Sequence, residues 1–212
     1  MPRTGTSPSF HRQRGGSGGD PLVAYPGCVP ARIAFVCLLL VFSLLGLLPG
    51  PPAAAAVRPG RLGIGDSVML GAKVELLHQG FGIVDAVVSR QFYTIVGVVN
   101  HWKRLGKLPI NVVIGLGTIG TVDLADCTAA VRAAGPDRNV FLVNLKVPRV
   151  WRAGDNVRLA ICARHFPNAY LIDWYDHSVD HPGWFYSDGF HLRPSGRRAY
   201  AAFVSQRISA LT

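Results

Sequence analysis

Two short motifs that are far apart in the sequence could together perform nucleophilic catalysis. Ser67 directly follows a short apolar segment, and Asp188 and His191 lie near the C-terminus with two residues between them. A serine hydroxyl needs a base to remove its proton during attack, and that imidazole needs an acceptor on its other nitrogen. A tight turn would let the carboxylate reach Nδ1 while Nε2 points at Ser67. We therefore predict a triad of Ser67 as nucleophile, His191 as base and Asp188 as its partner.

Each motif also has an ordinary structural explanation. Ser67 could simply cap a helix, with Asp66 beside it favouring the positive end of the helix dipole. The segment around His191 could be a surface turn. Their joint placement favours the triad, because one motif follows the first predicted strand and the other precedes the last predicted helix. A serine at a helix start also keeps its own backbone N–H free for a developing oxyanion.

The elements that would position these residues alternate between strands and helices. Nearly continuous apolar runs predict five strands at residues 61–65, 83–88, 110–116, 139–145 and 169–174. Amphipathic stretches predict helices at residues 68–79, 91–105, 122–134, 153–165 and 194–211, with a loop after the fifth strand. This order is typical of a parallel sheet covered on both faces, which predicts an α/β fold built as a three-layer α/β/α sandwich.

Polar and glycine-rich segments follow the first three predicted strands. They are Ser67 with its two preceding residues, Ser89-Arg90-Gln91, and the run from Gly115 to Gly120. Ligands of open α/β sheets bind at the carboxyl ends of the strands, so we expect the site at this edge.

The N-terminal part has a different composition. Residues 1–32 are basic and rich in Gly, Ser and Pro, and we interpret them as a disordered leader. Residues 33–56 contain an uncharged apolar run and an Ala-rich end, which indicates a signal peptide that is cleaved or retained as a membrane anchor. Residues 57–212 then form the domain. We expect it to be extracytoplasmic, secreted or anchored by the N-terminal segment alone.

The net charge of the chain indicates which class of polymer the protein contacts. The chain has a net charge of +10, which falls to +7 without residues 1–56, since these hold four Arg and one Asp. Anionic cell-envelope polymers fit this charge better than nucleic acid, because the Arg residues are dispersed and no basic helix is present.

In the domain, Cys127 and Cys162 could form a disulfide in an oxidising compartment or remain two buried thiols.

Four motifs occur in a specific order: GDSVMLGA from Gly65, VVIGLGTIG from Val112, VNLKVPRVW from Val143 with Asn156 after it, and DGFHLRPSG from Asp188. In these motifs the chain resembles the SGNH (GDSL-type) hydrolase superfamily, and more narrowly the extracytoplasmic domain of peptidoglycan O-acetyltransferases. The resemblance implies a flavodoxin-like strand order 2-1-3-4-5 and the same three triad residues. It implies transfer or hydrolysis of an acyl group, often acetyl, on a carbohydrate hydroxyl, with no metal or organic cofactor.

The chain departs from this family at the oxyanion hole, the set of donors that stabilises the tetrahedral intermediate. The family's third motif carries an Asn whose amide lines the hole, and the matching residue is Ile119. The glycine of the second motif corresponds to Ser89. Remaining donors would be the backbone N–H groups of Ser67 and Ser89, aided by Thr118. Losing one donor typically costs about 2.7–4 kcal/mol.

Further residues are candidates for substrate contact. They are Asp66, Arg90, Arg149 and Trp184. Arg149 could recognise a carboxylate or phosphate or be a solvated charge, and Trp184 could stack on a sugar or pin the long loop to the sheet. His177 and His181 are more typical of loop histidines than of a metal site, so no metal is expected.

Two hypotheses about function follow. The first is an exported serine esterase or acyltransferase, acting as a monomer on acyl esters of an envelope carbohydrate, with a separate membrane protein as an expected acyl donor. The second is an envelope-binding module that Ile119 has made catalytically impaired.

Overall fold

The computed structural model describes residues 58–212. The leader and signal segment predicted for residues 1–56 lie outside this part. Among the described residues, no helix combines the length and apolar character needed to span a membrane.

A five-stranded parallel sheet forms the centre of the domain. Its strands are β1 (Arg58–Gly65), β2 (Ile83–Ala86), β3 (Pro109–Gly115), β4 (Asn139–Val143) and β5 (Ala169–Ile172). Their order is β2-β1-β3-β4-β5, and every neighbouring pair is parallel. Strand residues such as Leu62, Ile114 and Phe141 are completely buried, because helices cover both faces of the sheet. The predicted fold and strand order are confirmed.

Seven α-helices within residues 58–212 complete the layers. They are α1 (Ser67–Gly71), α2 (Lys73–His78), α3 (Ile95–Arg104), α4 (Leu124–Ala134), α5 (Arg152–Arg164), α6 (Trp174–Ser178) and α7 (Pro194–Leu211). α2 packs against α7, while α3 packs against α4 and α4 against α5. Buried Cys127 on α4 and Cys162 on α5 form a disulfide, which decides between the two alternatives left open by the sequence.

The structure differs from the predicted elements in three places. The single helix expected at residues 68–79 is divided between α1 and α2 at Ala72. The helix expected from residue 91 begins as a single-turn 3₁₀ helix at Phe92–Thr94. The region after β5 is not only loop, since α6 forms there. The Asp173 carboxylate caps the first turn of α6 by accepting a hydrogen bond from Asp176 N.

Candidate active site

A continuous hydrogen-bond chain connects the three predicted catalytic side chains. The hydroxyl oxygen of Ser67 lies 2.9 Å from Nε2 of His191, and Nδ1 of His191 lies 2.8 Å from Oδ2 of Asp188. The imidazole and the carboxylate are 40% and 41% exposed, so a substrate can approach them. Acyl transfer by a serine requires this connectivity, in which an imidazole base is hydrogen-bonded to the hydroxyl and oriented by a carboxylate.

A short turn holds Asp188 and His191 in this arrangement. Oδ1 of Asp188 accepts hydrogen bonds from the backbone N–H groups of Phe190 and His191, both at 3.0 Å. Gly189, which lies between Asp188 and Phe190, has φ +77°, a backbone conformation that is strained for residues with a side chain. Tyr186 N donates to His191 O across the turn at 2.9 Å. The carboxylate therefore orients the imidazole from a fixed position.

The surroundings favour the charged form of the Asp188 carboxyl. Burial by itself raises its pKa, but hydrogen bonds from Phe190 N, from the His191 ring and from His191 N outweigh this and hold the pKa below its usual range. Asp188 is thus ionised wherever a serine hydrolase would operate, and it can stabilise an imidazolium.

Ser67 is presented by the junction of β1 and α1. It is the first residue of α1, and the Asp66 carboxylate caps this helix by accepting from Val68 N at 3.0 Å. Asp66 also accepts from the Thr118 hydroxyl at 2.7 Å and from Thr118 N at 3.3 Å. These bonds connect the loops after β1 and β3 next to Ser67.

Two predicted roles are wrong because of this connection. Asp66 is completely buried, so it cannot contact a substrate. Burial raises its pKa, although the bonds from Thr118 and Val68 partly oppose the shift. Thr118 cannot aid the oxyanion hole, because its hydroxyl and its amide both donate to Asp66.

Ser89 and Ile119 lie at the ends of β2 and β3, on either side of β1. Ser89 has φ +62°, the left-handed region that favours glycine, which agrees with the glycine of the family's second motif. Within the described part of the chain, the N–H groups of Ser67 and Ser89 donate to no acceptor. The half-buried Ile119 side chain carries no donor.

Arg90 does not contact the site as predicted. Its guanidinium bonds to the Asp85 carboxylate at 2.7 Å, and its side chain is only 13% exposed. Trp102 Nε1 donates to the other Asp85 oxygen at 2.8 Å. Burial raises the pKa of Asp85, but these partners lower it overall. The sequence prediction failed because the acceptor of Arg90 is on β2 itself.

The other two predicted contacts have different environments. The Trp184 ring stacks on Trp174 and His181, with ring centroids 5.8 Å and 4.0 Å away. Trp184 therefore holds the long loop after β5 in place, which is the second of the two roles that the sequence allowed. Arg149 is exposed, and its guanidinium lies 5.9 Å from the Phe190 ring centroid, beside the turn that holds Asp188 and His191. No cluster of three or more metal-ligating side chains occurs in residues 58–212.

Sequence reasoning missed two polar residues that support the site. Lys146 Nζ donates to Gly189 O at 3.1 Å and lies 4.7 Å from the Phe185 ring centroid. Burial, with Arg152 nearby, lowers the pKa of Lys146. Asp155 is completely buried and accepts from Val122 N at 2.9 Å, which fixes the loop after β3. The signal in the sequence was the position of Lys146 directly after the predicted strand at residues 139–145.

Comparison with known proteins identifies relatives of the described domain. Peptidoglycan O-acetyltransferase OatA of Listeria monocytogenes is 34% identical over 146 residues, which are 67% of this chain and 23% of that protein. O-acetyltransferase OatA of Staphylococcus aureus is 31% identical over 143 residues, 66% of this chain and 24% of that protein. The chain thus spans about a quarter of the length of the curated relatives that it matches. No protein-family model matches the chain.

Solved structures agree with the fold. The C-terminal catalytic domain of peptidoglycan O-acetyltransferase A of Streptococcus pneumoniae aligns with a TM-score of 0.66 and 22% identity, over 74% of this chain and 96% of that one. A family 3 carbohydrate esterase of Clostridium thermocellum aligns with a TM-score of 0.60 and 13% identity, over 73% and 98% of the two chains. The sequence relatives confirm the family resemblance of the four motifs, and these structures confirm the fold.

Proposed function

Starting from its homology to peptidoglycan O-acetyltransferases, we propose that the domain is a serine esterase or acyltransferase that acts outside the cytoplasm on acetyl esters of a cell-envelope carbohydrate. The observation that carries this proposal is the hydrogen-bond chain from Ser67 through His191 to Asp188 at the carboxyl ends of the strands. We propose an acetyl group and an envelope carbohydrate as substrates because the homologues are peptidoglycan O-acetyltransferases.

The first half-reaction forms an acyl-enzyme. Ser67 Oγ attacks the acetyl carbonyl carbon while His191 Nε2 takes the hydroxyl proton, and the carbonyl π electrons move onto the oxygen. When this intermediate collapses, the bond to the departing alkoxide breaks and His191 returns the proton to it. Asp188 holds the imidazole and stabilises its positive charge during both steps.

The second half-reaction releases the acetyl group. A sugar hydroxyl or water gives its proton to His191 and attacks the acyl-enzyme, and Ser67 recovers a proton as it leaves. Acceptance by a sugar makes the domain a transferase, and acceptance by water makes it an esterase. A transferase would receive its acetyl group from a separate membrane protein or from another segment of a longer chain.

Arg149 is the residue that we propose for recognition of the envelope polymer. It is exposed beside the turn that holds Asp188 and His191, and the described residues give its guanidinium only a 3.3 Å bond to the neighbouring Pro148 O. A guanidinium with free donors can bind a carboxylate or phosphate through two parallel hydrogen bonds. A substrate that carries such a group near its ester would therefore be preferred.

A non-catalytic binding module is the second candidate, and Ile119 is the observation that favours it. The two functions are separated by turnover of a small acetyl ester by the purified full chain, compared between wild type and Ser67→Ala. We expect acetate release by wild type alone. Release by neither protein, with restored release in Ile119→Asn, would favour the binding module.

Mass spectrometry of the products separates the two acceptors. With a peptidoglycan oligosaccharide present, a transferase yields oligosaccharide heavier by one acetyl group, whereas an esterase yields free acetate. Release of acetate at the same rate with and without the oligosaccharide would contradict the transferase form of the proposal.

A further inference from the structure

Gln91 reaches from the loop after β2 to the loop after β3. A Cβ atom built on Gly120 would lie 2.2 Å from Gln91 Oε1, 3.3 Å from its Cδ and 3.8 Å from its Nε2. The amide end of Gln91 therefore lies directly against the Gly120 backbone, in the space that a side chain at position 120 would occupy. This contact brings the loops after β2 and β3 together at the amide.

This contact lies at the end of β1. Since β1 is between β2 and β3 in the sheet, a side chain that joins the loops following β2 and β3 passes the end of β1, where Ser67 begins α1. Gln91 lies two residues after Ser89, and Gly120 lies one residue after Ile119. The contact thus joins the two loops that carry both positions expected to supply the oxyanion hole.

The Gln91 side chain has the chemistry that Ile119 lacks. It ends in a carboxamide, as does the Asn found at the Ile119 position in the family, and Nε2 carries two N–H donors. The side chain is half-buried, and no hydrogen bond within the described residues uses its amide. Its donors are therefore available to a ligand.

We propose that Gln91 is a catalytic residue whose side-chain amide donates a hydrogen bond to the developing oxyanion, in place of the missing Asn. This inference rests on the proposed acyl-transfer function. As the bond from Ser67 Oγ to the carbonyl carbon forms, negative charge moves onto the carbonyl oxygen, and the Gln91 N–H stabilises it while keeping its proton. One donor in an oxyanion hole commonly contributes about 10²–10³ to kcat.

A rescue experiment on the full chain tests this role. The variants are Gln91→Ala, Ile119→Asn and the double variant, with Gln206→Ala as a matched control at an exposed position of α7. We expect Gln91→Ala to lower kcat for a small acetyl ester by about 10²-fold or more, with a smaller change in KM. Ile119→Asn should restore at least about tenfold in the Gln91→Ala background, because a second amide then serves the same oxygen.

Two further variants separate catalysis from folding. Gln91→Met keeps the length without the donors, and Gln91→Glu replaces the donors by a negative charge; both should lose activity while thermal unfolding stays close to that of wild type. Wild-type kcat in Gln91→Ala, or a loss that Ile119→Asn does not relieve, would overturn the inference while leaving the proposed function intact. Absence of turnover in wild type would overturn the proposed function and this inference with it.

Discussion

The disulfide between Cys127 and Cys162 should make a large contribution to the stability of the domain. The two residues are 35 positions apart, lie on the neighbouring helices α4 and α5, and are both completely buried. Replacing both by Ala, or reducing the bond, removes the cross-link without touching the hydrogen-bonded catalytic side chains. Stability should fall while the active-site geometry remains.

The loop length gives the magnitude. For a closed loop of this size, the chain-entropy model predicts a stabilisation of about 4 kcal/mol at 25 °C, because the cross-link restricts the unfolded chain. A folded part of the size described here has an unfolding entropy of roughly 0.33 kcal/mol/K, so the melting temperature should fall by about 12 °C. The Ala variant should lose slightly more than the reduced wild type, since it also removes buried sulfur atoms.

Urea denaturation of three forms measures this effect: oxidised wild type, wild type refolded under a thiol reductant, and Cys127→Ala/Cys162→Ala. Tryptic digestion without reductant should also yield residues 108–132 linked to residues 159–164. Equal unfolding free energies for the oxidised and reduced forms would refute the reasoning. So would recovery of the two peptides unlinked from protein exported to an oxidising compartment.

Four further predictions concern the site. Ser89→Gly should raise the unfolding free energy by about 0.5–1 kcal/mol in urea denaturation, because a non-glycine residue at φ +62° is strained; a loss of stability would contradict this. Lys146→Met should cost about 1.5–3 kcal/mol by the same method, since it removes the charged donor to Gly189 O; an unchanged midpoint would show that this bond contributes nothing. Asp188→Asn should lower kcat by about 10⁴-fold in steady-state kinetics, because the amide N–H can donate to Nδ1 and hold the imidazole in the wrong tautomer, without the carboxylate charge. The pKa of Asp188 is depressed in the folded state, so its ionised form stabilises the fold above the ordinary Asp pKa, and that stability is lost as pH falls through the folded pKa. Wild type should therefore lose more stability than Asp188→Asn on acidification from about pH 5 to 3, and parallel losses would contradict the shift.

Features that repeat along the chain were predictable from the sequence. The alternation of buried apolar runs with amphipathic stretches predicted all five strands, because a parallel sheet covered by helices demands it. The local spacing of Asp188 and His191 predicted a turn that could join them, and the placement of Ser67 after β1 predicted the edge of the sheet where it lies. Each of these inferences depended on neighbours in sequence or on the topology of the sheet.

Roles that depend on the burial of one side chain were not predictable. Asp66 lies beside Ser67, and Arg90 lies in the loop after β2. Both polar residues were expected to contact a substrate. The structure instead pairs Asp66 with Thr118 and Arg90 with Asp85. A polar residue next to a site either faces the ligand or satisfies buried groups beneath it, and only the three-dimensional structure distinguishes these cases.

Gln91 illustrates the same limit in the opposite direction. The sequence places it only in a polar segment after the second predicted strand, and its contact with Gly120 depends on two loops 29 positions apart in sequence. No periodicity or motif reports such a contact.

Covalent labelling of Ser67 tests the central claim most directly. The full chain is incubated with a serine-directed phosphonate, and the modified peptide is located by mass spectrometry in wild type, Ser67→Ala and His191→Ala. We predict one phosphonyl group on Ser67 in wild type, none in Ser67→Ala, and much slower labelling in His191→Ala, because the hydroxyl then lacks its base. Labelling of wild type that is absent, that occurs at another residue, or that proceeds as fast in His191→Ala would contradict the account.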